Sequence, residues 1–466
     1  MTTIITVVFL LGYLMITLEN NIKVNKTAVA LFLSVACWVL YMGNCGSYID
    51  LMHASDFAEW KKALSEGSIA TAASYVVHKV FINHVGDTSE IIFFLLGAMT
   101  IVEVVDSNGG FNFVRDKVRT KSQRALLWRI TFMTFFLSAV LDNLTSSIVM
   151  VMVLRKLVHH RRLRMAYAGM VILAANAGGA FSPIGDVTTI MLWIKGNITT
   201  LGVIKELFLP SLASVLVPLL ILQHILKGDL VQVKVNDDTQ GEKFEFSKGQ
   251  RNAVFYVGVV GLVFVPIFRT LTGLPPFMGI ILVLSVLWIM TECFYHHHKD
   301  SPRKNRVSAV LRRIDLSTIL FFLGILMAVG ALQETGVLAA LGVELEKLSG
   351  GNAYVITGAI GIASSIVDNV PLVASCMHMY EIATPAQALA NPELESLLID
   401  GTFWQLLAYC AGTGGSILII GSAAGVIVMG LEKISFGWYL RHYTLLALAG
   451  FFAGMIVYWL EKLFIF

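Results

Sequence analysis

The chain of 466 residues is 56% hydrophobic and only 14% charged, proportions that ordinary soluble domains do not have. Its formal net charge of +3 is small, so the charge balance gives no reason to expect nucleic acid as a partner. The five cysteines lack metal-ligand spacing, which argues against a zinc site or a disulfide framework. The composition predicts an all-α polytopic membrane protein that is surrounded by lipid and needs no cofactor.

Apolar windows of the length that crosses a bilayer, about 20 residues, predict membrane spans along the whole chain. They lie at Ile4–Leu18, Thr27–Met42, Ser89–Val105, Ile204–Leu226, Asn252–Phe268, Pro276–Phe294, Leu316–Leu332 and Trp438–Trp459. The first window has no Lys or Arg before it and no small-residue cleavage pattern after it. We therefore interpret it as a retained helix rather than a signal peptide.

The apolar run 125–157 is longer than one span needs and carries Asp142 and Asn143 near its midpoint. Basic residues flank both of its ends: Arg115, Lys117, Arg119, Lys121 and Arg124 before it, and Arg155, Lys156, Arg161, Arg162 and Arg164 after it. Because Lys and Arg are enriched in cytoplasmic segments, both ends are predicted to be cytoplasmic. The run is then a re-entrant hairpin with Asp142 at its tip, where non-helical backbone is tolerated only if protein or a wet cavity surrounds it.

The next run, 165–193, is interrupted by three glycines and a proline between Asn176 and Asp186. These residues break a helix and free its backbone carbonyls, and secondary transporters place ion sites at such breaks near the membrane midplane. The run 403–431 is interrupted at 412–421 with the same spacing. The run 353–380 repeats the Asp-Asn pair as Asp368 and Asn369 and predicts a second hairpin.

The chain therefore reads as two copies of one unit. Phe93-Phe94-Leu95 recurs as Phe321-Phe322-Leu323, and Asp142 recurs as Asp368. The predicted domains are a first repeat, 1–226, a cytoplasmic linker, 227–251, and a second repeat, 252–466. Each repeat has three spans, a hairpin that does not change sides, a broken span and a final span. Five crossings is an odd number, so the second repeat must be inverted.

The flanking charges agree with the inversion. The second hairpin should open outward, and its flanks contain mostly acids: Glu344, Glu346, Glu381, Glu393, Glu395 and Asp400. This arrangement places both termini outside, in the periplasm if the membrane is a bacterial inner membrane. The segment 43–88 is then an external insertion in which we find no motif.

Acidic residues in the middle of a membrane segment are costly, because hydrocarbon offers neither water nor counter-charge. A structural ion pair would need a basic partner, and no Lys or Arg lies near the middle of the three runs that hold Asp142, Asp186 and Asp368. We therefore predict that these three acids bind a transported ion rather than stabilise the fold.

Three motifs resemble a known family. They are Leu141–Ser146 (LDNLTS), Ala174–Thr189 (AANAGGAFSPIGDVTT) and Val367–Pro371 (VDNVP). They resemble the NhaD-type sodium–proton antiporters of bacterial inner membranes, which belong to a wider ion transporter superfamily that includes divalent-anion symporters and arsenite permeases. The resemblance covers nearly the whole chain. It implies a homodimer with a scaffold and a mobile transport domain that works by an elevator-like motion.

One departure from the superfamily pattern bears on the substrate. The hairpin tips of its symporters carry Ser-Asn-Thr, and here Asp142 and Asp368 stand in place of the serines. Two additional negative charges would repel a dicarboxylate. The resemblance therefore implies cation transport rather than organic-anion transport.

The predicted chemistry is competition between Na⁺ and H⁺ for the intramembrane aspartates, with Li⁺ as a further cargo. A carboxylate that is removed from water takes up a proton more readily, whereas a bound cation favours its ionised form. Hard oxygen ligands suit Na⁺, and the central ligands are predicted to be Asp142, Asn143 and Asp186. The other predicted site residues are Thr145, Ser146, Asn176, Ser182 and Gly185 in the first repeat and Asp368, Asn369 and Thr413 in the second.

Two other functions are compatible with parts of the pattern. An anion or arsenite permease of the same fold would direct the positive ends of its broken helices at the substrate. An intramembrane aspartyl protease would need two buried aspartates, and Gly185-Asp186 matches part of its Gly-x-Gly-Asp motif. Pro183 replaces the first glycine of that motif and the hairpins have no role in proteolysis, so an enzyme is the least favoured reading.

Overall fold

In a computed structural model of the protein, every described segment with regular structure is helical. The described residues are 1–63, 71–111, 117–118, 120–226, 228, 246–296, 306–366 and 368–465. Most of the predicted linker 227–251 lies outside them, and so does Val367 at the second predicted hairpin tip.

The helices up to residue 225 contain the first hairpin and the first broken helix. They are α1 (Thr2–Thr17), α2 (Glu19–Ile22), α3 (Lys26–Met42), α4 (Cys45–Met52), α5 (Ala54–Ala63), α6 (Ala72–Ser107), α7 (Gln123–Leu141), α8 (Asn143–Leu157), α9 (Arg161–Ala180), α10 (Val187–Lys195) and α11 (Thr200–Ile225). Within α6, Val76–Phe81 is π-helical.

The helices after residue 246 contain the second predicted hairpin and the second broken helix. They are α12 (Lys248–Thr272), α13 (Pro276–His296), α14 (Val307–Val310), α15 (Leu316–Gln333), α16 (Val337–Ser349), α17 (Ala353–Ala363), α18 (Asn369–Met379), α19 (Pro385–Ala390), α20 (Thr402–Gly414), α21 (Ala423–Glu432), α22 (Phe436–His442) and α23 (Thr444–Phe464). Short 3₁₀ helices occupy Leu311–Arg313 and Pro392–Leu397.

Among the described residues, seven helices are long and apolar enough to cross a membrane, and the number rises to nine if two bent pairs each count as one span. The bent pairs are α3 with α4, at 83°, and α21 with α22, at 113°. The prediction of an all-helical, multi-span membrane protein is therefore confirmed.

Two predicted span boundaries are wrong. The third span begins at Ala72 rather than Ser89, because part of the predicted insertion 43–88 continues the helix. The last predicted span, from Trp438, is divided between α22 and α23. Hydrogen bonds from Tyr439 Oη to the Ser416 carbonyl and from Thr444 Oγ1 to the Ile417 carbonyl join both helices to the segment between α20 and α21.

The chain forms two compact units. Unit 1 contains 1–93, 315–352 and 370–382, and unit 2 contains 94–314, 353–369 and 383–466. In unit 1, α3 packs closely against α15, because Gly324 has no side chain where the backbone of Ala30 lies. The indole Nε1 of Trp38 donates to the Met327 carbonyl at 2.9 Å along the same contact.

Unit 1 also holds a buried carboxylate between two imidazoles. Glu334 follows directly after α15 and is 6% exposed. Its two oxygens contact His53 Nε2 at 2.6 Å and His84 Nε2 at 2.7 Å. Burial raises the pKa of Glu334, but the hydrogen bonds from the two imidazoles outweigh burial and hold the pKa at about 2. The same carboxylate raises the pKa of His53 through their hydrogen bond.

This arrangement predicts a pH-dependent stability. The hydrogen bond with Glu334 raises the pKa of His53 in the folded protein, so the protonated imidazole stabilises the fold. This stabilisation is complete below the ordinary histidine pKa of about 6.5, and it is lost as the pH rises through the raised pKa of the folded protein. Glu334→Gln should lower the free energy of unfolding by about 2 kcal/mol at pH 6. It should also flatten the decrease in melting temperature of the detergent-solubilised protein between about pH 6 and pH 9. Parallel melting curves for the two proteins across this range would contradict the prediction.

Candidate functional site

The first hairpin predicted from the sequence has its two arms side by side on α9. Tyr167 Oη, near the start of α9, donates to the carbonyl of Gln123 at the start of α7. Arg164, one turn earlier, donates to the carbonyl of Val158 just after α8. The beginning of α7 and the end of α8 therefore lie at the same end of α9. The chain turns back between them, at Asp142.

The turn is made by a strained residue whose side chain caps the next helix. Asp142 has φ 90°, ψ 160°, a conformation that is costly for a residue with a side chain. Its carboxylate accepts hydrogen bonds from the backbone N–H of Thr145 at 2.7 Å and from the hydroxyl of Thr145 at 2.9 Å. Aspartate is a preferred N-cap residue because it satisfies N–H groups that have no partner within the helix.

The first broken helix consists of α9 and α10 with residues 181–186 between them. Gly178 allows the hairpin to approach, because a Cβ built there would overlap the carbonyl of Phe135. Ser138 Oγ donates to the Ala175 carbonyl at 2.6 Å along the same contact. The break ends at Asp186, whose side chain accepts from the Thr188 N–H as the N-cap of α10.

The second broken helix, α20 and α21, repeats these contacts at the spacing that the sequence predicted. A Cβ built on Gly414 would overlap the carbonyl of Gly361, and Ser364 Oγ donates to the Ala411 carbonyl at 2.9 Å. Ser422 is the N-cap of α21 and stands where Asp186 stands in α10. The two broken helices thus share their close contacts but differ in one carboxylate.

Asp186 is the centre of a buried hydrogen-bond network and is only 1% exposed. Its Oδ2 accepts from Asn143 Nδ2 at 2.7 Å. Its Oδ1 accepts from the N–H of Thr188 at 3.0 Å, from the Thr188 hydroxyl at 3.1 Å and from Asn369 Nδ2 at 3.5 Å. Within the described residues, no cationic side chain bonds this carboxylate. The amides of both Asp-Asn pairs therefore meet at one acid.

Asn176 links this network to the second broken helix. Its Oδ1 accepts from Asn143 Nδ2 at 3.1 Å, while its Nδ2 donates to Ser416 Oγ and Ser422 Oγ, each at 2.8 Å. The sequence suggested two pseudo-symmetric sets of ligands. The structure joins them, because Asn176 of the first set bonds Ser416 and Ser422 of the second broken helix, and Asn369 of the second set bonds Asp186.

Other predicted site residues lie beside the network with different partners. Ser182 Oγ donates to the Ala139 carbonyl at 2.5 Å, and Thr413 Oγ1 donates to the Tyr409 carbonyl of its own helix. Ser146 Oγ is buried and has no hydrogen-bond partner among the described residues. Gly185 packs against Gly179 within the break. Asp368 is half-buried directly before α18.

Three residues of the network were not among the predicted ligands: Thr188, Ser416 and Ser422. The sequence did contain a signal for Ser422, since the common spacing of the two breaks aligns it with Asp186. Thr188 is the second residue of α10, a position whose backbone N–H commonly bonds the N-cap side chain. Ser416 carried no comparable signal.

The ligand chemistry of the network is that of a site for a hard cation. Carboxylate, amide and hydroxyl oxygens are ligands that hard ions prefer, whereas transition metals favour thiolate and imidazole. Among the described residues, no group of three or more His, Cys, Asp or Glu side chains is arranged to hold a metal ion. The network therefore offers oxygen ligands of the kind that a hard cation takes.

Comparison with known proteins agrees with this chemistry. The sequence matches the model of the citrate transporter family, CitMHS, over residues 13–399. It is 43% identical to sodium/proton antiporter 1 of Arabidopsis thaliana over 454 aligned residues. The alignment covers 97% of this chain and 71% of the relative. Sodium/proton antiporter 2 of the same plant is 42% identical, over 97% of both chains.

Bacterial relatives are more distant. The Na⁺/H⁺ antiporter NhaD of Halomonas elongata is 27% identical over 97% of this chain and 86% of the relative. These proteins are transporters, and the chain is a transporter rather than an enzyme. The chain belongs to the NhaD-type sodium/proton antiporters of the citrate transporter family.

Proposed function

We propose that this protein exchanges Na⁺, and also Li⁺, for protons, and that both cargoes compete for the intramembrane aspartates. The observation that carries the proposal is the burial of Asp186 among amides and hydroxyls. The relatives named as Na⁺/H⁺ antiporters support it. An ionised carboxylate in such a place needs a positive charge, and both a proton and a Na⁺ ion supply one.

The amides suggest how one site serves both cargoes. Asn143 and Asn369 direct their NH₂ groups at Asp186, which compensates the carboxylate while no cation is bound. Each amide also carries an oxygen acceptor, and rotation about the Cβ–Cγ bond exchanges the two ends. A Na⁺ ion beside Asp186 would then replace two N–H donors and gain two oxygen ligands.

Asp142 is the second acid of the proposed site. It directly precedes Asn143, whose amide bonds Asp186. Two carboxylates that share a poorly hydrated cavity do not both ionise cheaply, so one of them holds a proton until Na⁺ displaces it. That displacement is the exchange step. Release of the proton and binding of Na⁺ are then two aspects of a single event at Asp142 and Asp186.

The rival function, transport of an anion such as the citrate named in the family's description, conflicts with the occupancy of the helix N-termini. The positive ends of α8 and α10 are already capped by the carboxylates of Asp142 and Asp186. An incoming carboxylate would have to displace them and tolerate their charge. Exchange driven by citrate and indifferent to Na⁺ would favour this rival.

We further propose the architecture that the sequence predicted: inverted repeats of five spans, 1–226 and 252–466, assembled as a homodimer that works by an elevator-like motion. The paired contacts of Gly178 and Gly414 support the repeat. A bacterial inner membrane with both termini in the periplasm is the proposed setting. The bacterial relatives support this setting, and the plant relatives leave other membranes open to test.

The repeats should respond unequally to loss of their acids. In proteoliposomes with an imposed pH gradient, Asp142→Asn and Asp186→Asn should each reduce Na⁺-driven proton movement to the level of empty vesicles. Asp368→Asn should impair it only partly, because Ser422 leaves the second repeat with one acid. The exposed Asp50→Asn serves as the matched control and should retain full exchange. Full activity in Asp142→Asn, or loss confined to Asp368→Asn, would contradict the prediction and place the proton-coupled site in the second repeat.

Competition also predicts a pH-dependent affinity. The apparent affinity for Na⁺ should weaken as the pH falls from 9 to 6, because protons occupy the same carboxylates. With one competing proton the limit is about tenfold per pH unit, since one unit is a tenfold change in proton concentration. Initial rates at graded Na⁺ concentrations measure this affinity. A constant affinity across the range would exclude a shared site.

Topology can be read from cysteine labelling. After Cys45 and Cys293, the native thiols that are not buried, are changed to serine, single cysteines at the exposed positions Lys121, Arg161 and Glu393 report the side of the membrane. The first two should react with an impermeant reagent only from the cytoplasm, and the third only from outside. Reaction of Lys121 and Arg161 from opposite sides would contradict the hairpin topology.

A further inference from the structure

A basic cavity of about 660 Å³ lies in unit 2, between the start of α9 and the bend that joins α21 to α22. Its lining includes His160, Arg161, Arg162, Lys433, Trp438 and His442 and contains no acidic residue. Basic residues flank many membrane spans without binding anything. These differ because they converge from two separate parts of the chain on one cavity.

Among the described residues, no acid is paired with the cations Arg161, Arg162 and Lys433 that line the basic cavity. Glu432 directly precedes Lys433, but its buried carboxylate is occupied by Arg155 Nε at 2.7 Å and Arg164 Nε at 2.6 Å. Arg161 bonds only a backbone group, the Lys433 carbonyl, at 3.0 Å. Within the described part of the chain, no carboxylate pairs with Arg162 or Lys433. An anion in the cavity would therefore meet cations that have no other counter-charge.

The helix beside the cavity has the pattern of a segment that lies in a membrane surface. On α22, Phe436 and Leu440 lie one turn apart and are 40% and 45% exposed. Trp438 and His442, also one turn apart, line the cavity and stack with ring centroids 4.6 Å apart. Amphipathic helices with an apolar face, a basic face and an interfacial Trp bind at the boundary between headgroups and acyl chains.

We propose that the basic cavity binds the phosphate group of an anionic lipid. Arg and Lys side chains match phosphate oxygens in charge and hydrogen bonding, and the two histidines offer further donors. The exposed faces of Phe436 and Leu440 give a lipid an additional contact, with its acyl chains, that free phosphate cannot make. Binding at this site does not depend on which cation the protein transports.

The position of the cavity gives such a lipid a mechanical role. Arg155 lies on α8, Arg164 on α9, and Glu432 at the end of α21. These three helices meet beside the cavity, and their other ends carry Asn143, Asn176 and Ser422 of the buried network. A lipid bound between Arg162 and Lys433 would connect α9 to the turn after α21 and reinforce the Glu432 ion pairs.

The test compares three forms of the full-length protein in neutral detergent: the wild type, the double variant Arg162→Gln/Lys433→Gln, and the control Lys121→Gln, which removes an exposed cation elsewhere. Native mass spectrometry counts retained lipid, and thermal unfolding is followed with phosphatidylglycerol, phosphatidylcholine or inorganic phosphate. Phosphatidylglycerol should bind and raise the melting temperature of the wild type and the control. Its affinity should fall about fivefold per removed charge in the double variant.

The charge-preserving variant Arg162→Lys/Lys433→Arg should retain the lipid, which separates a loss of charge from a loss of fold. Equal binding of phosphatidylglycerol to all forms would place the lipid elsewhere and overturn the proposal. Stabilisation by inorganic phosphate as large as that by phosphatidylglycerol would show that the cavity takes a free oxyanion, and it would overturn the assignment to a lipid. If phosphatidylcholine raised the melting temperature as much as phosphatidylglycerol, the cavity would not select an anionic lipid, and the proposal would be wrong.

Discussion

The cost of holding an ionised carboxylate away from water shapes the centre of this protein. Asp186 is compensated by the N-terminus of a half-helix and by amides from two separate Asp-Asn pairs. A helix N-terminus lies within a membrane span only where the span is broken into two half-helices. Such a break is tolerated only where other parts of the protein form hydrogen bonds with the exposed backbone groups. The broken helices, the hairpin and the glycine contacts can all be understood as the surroundings that one buried charge requires.

The geometry of the helix N-termini explains how a family described by transport of an anion can include sodium/proton antiporters. Helix N-termini that meet at the middle of a membrane attract anions, which suits a family described by citrate transport. Here the anions are part of the chain, because Asp142 and Asp186 occupy the caps of α8 and α10. In the mechanism proposed above, these built-in negative charges favour a cation as cargo.

The sequence was most informative where local chemistry determined the structure. Asp142 at a hairpin tip, the breaks after Ala180 and Gly414, and the equivalence of Asp186 with Ser422 all follow from residue types with strong backbone preferences. Contacts between distant segments left no local signal. The Asn176 bonds to Ser416 and Ser422, and the placing of Glu334 between His53 and His84, join residues more than 200 positions apart or separated by several helices. The extra turns before Ser89 were missed because their apolar pattern is weaker.

The glycine contacts also limit how the transport machinery can deform. Gly178 and Gly414 bring helix backbones together with no side chain in between, against the carbonyls of Phe135 and Gly361. Such an interface has no rotamers to rearrange, so it does not permit sliding in the way that larger interdigitated side chains do. The arm α7 and the half-helix α9, and likewise α17 and α20, are therefore expected to stay together as rigid pairs in any movement of the protein. Flexibility is left to the connections outside these pairs, so the rigidity of the network around Asp186 and the freedom of its surroundings depend on different parts of the chain.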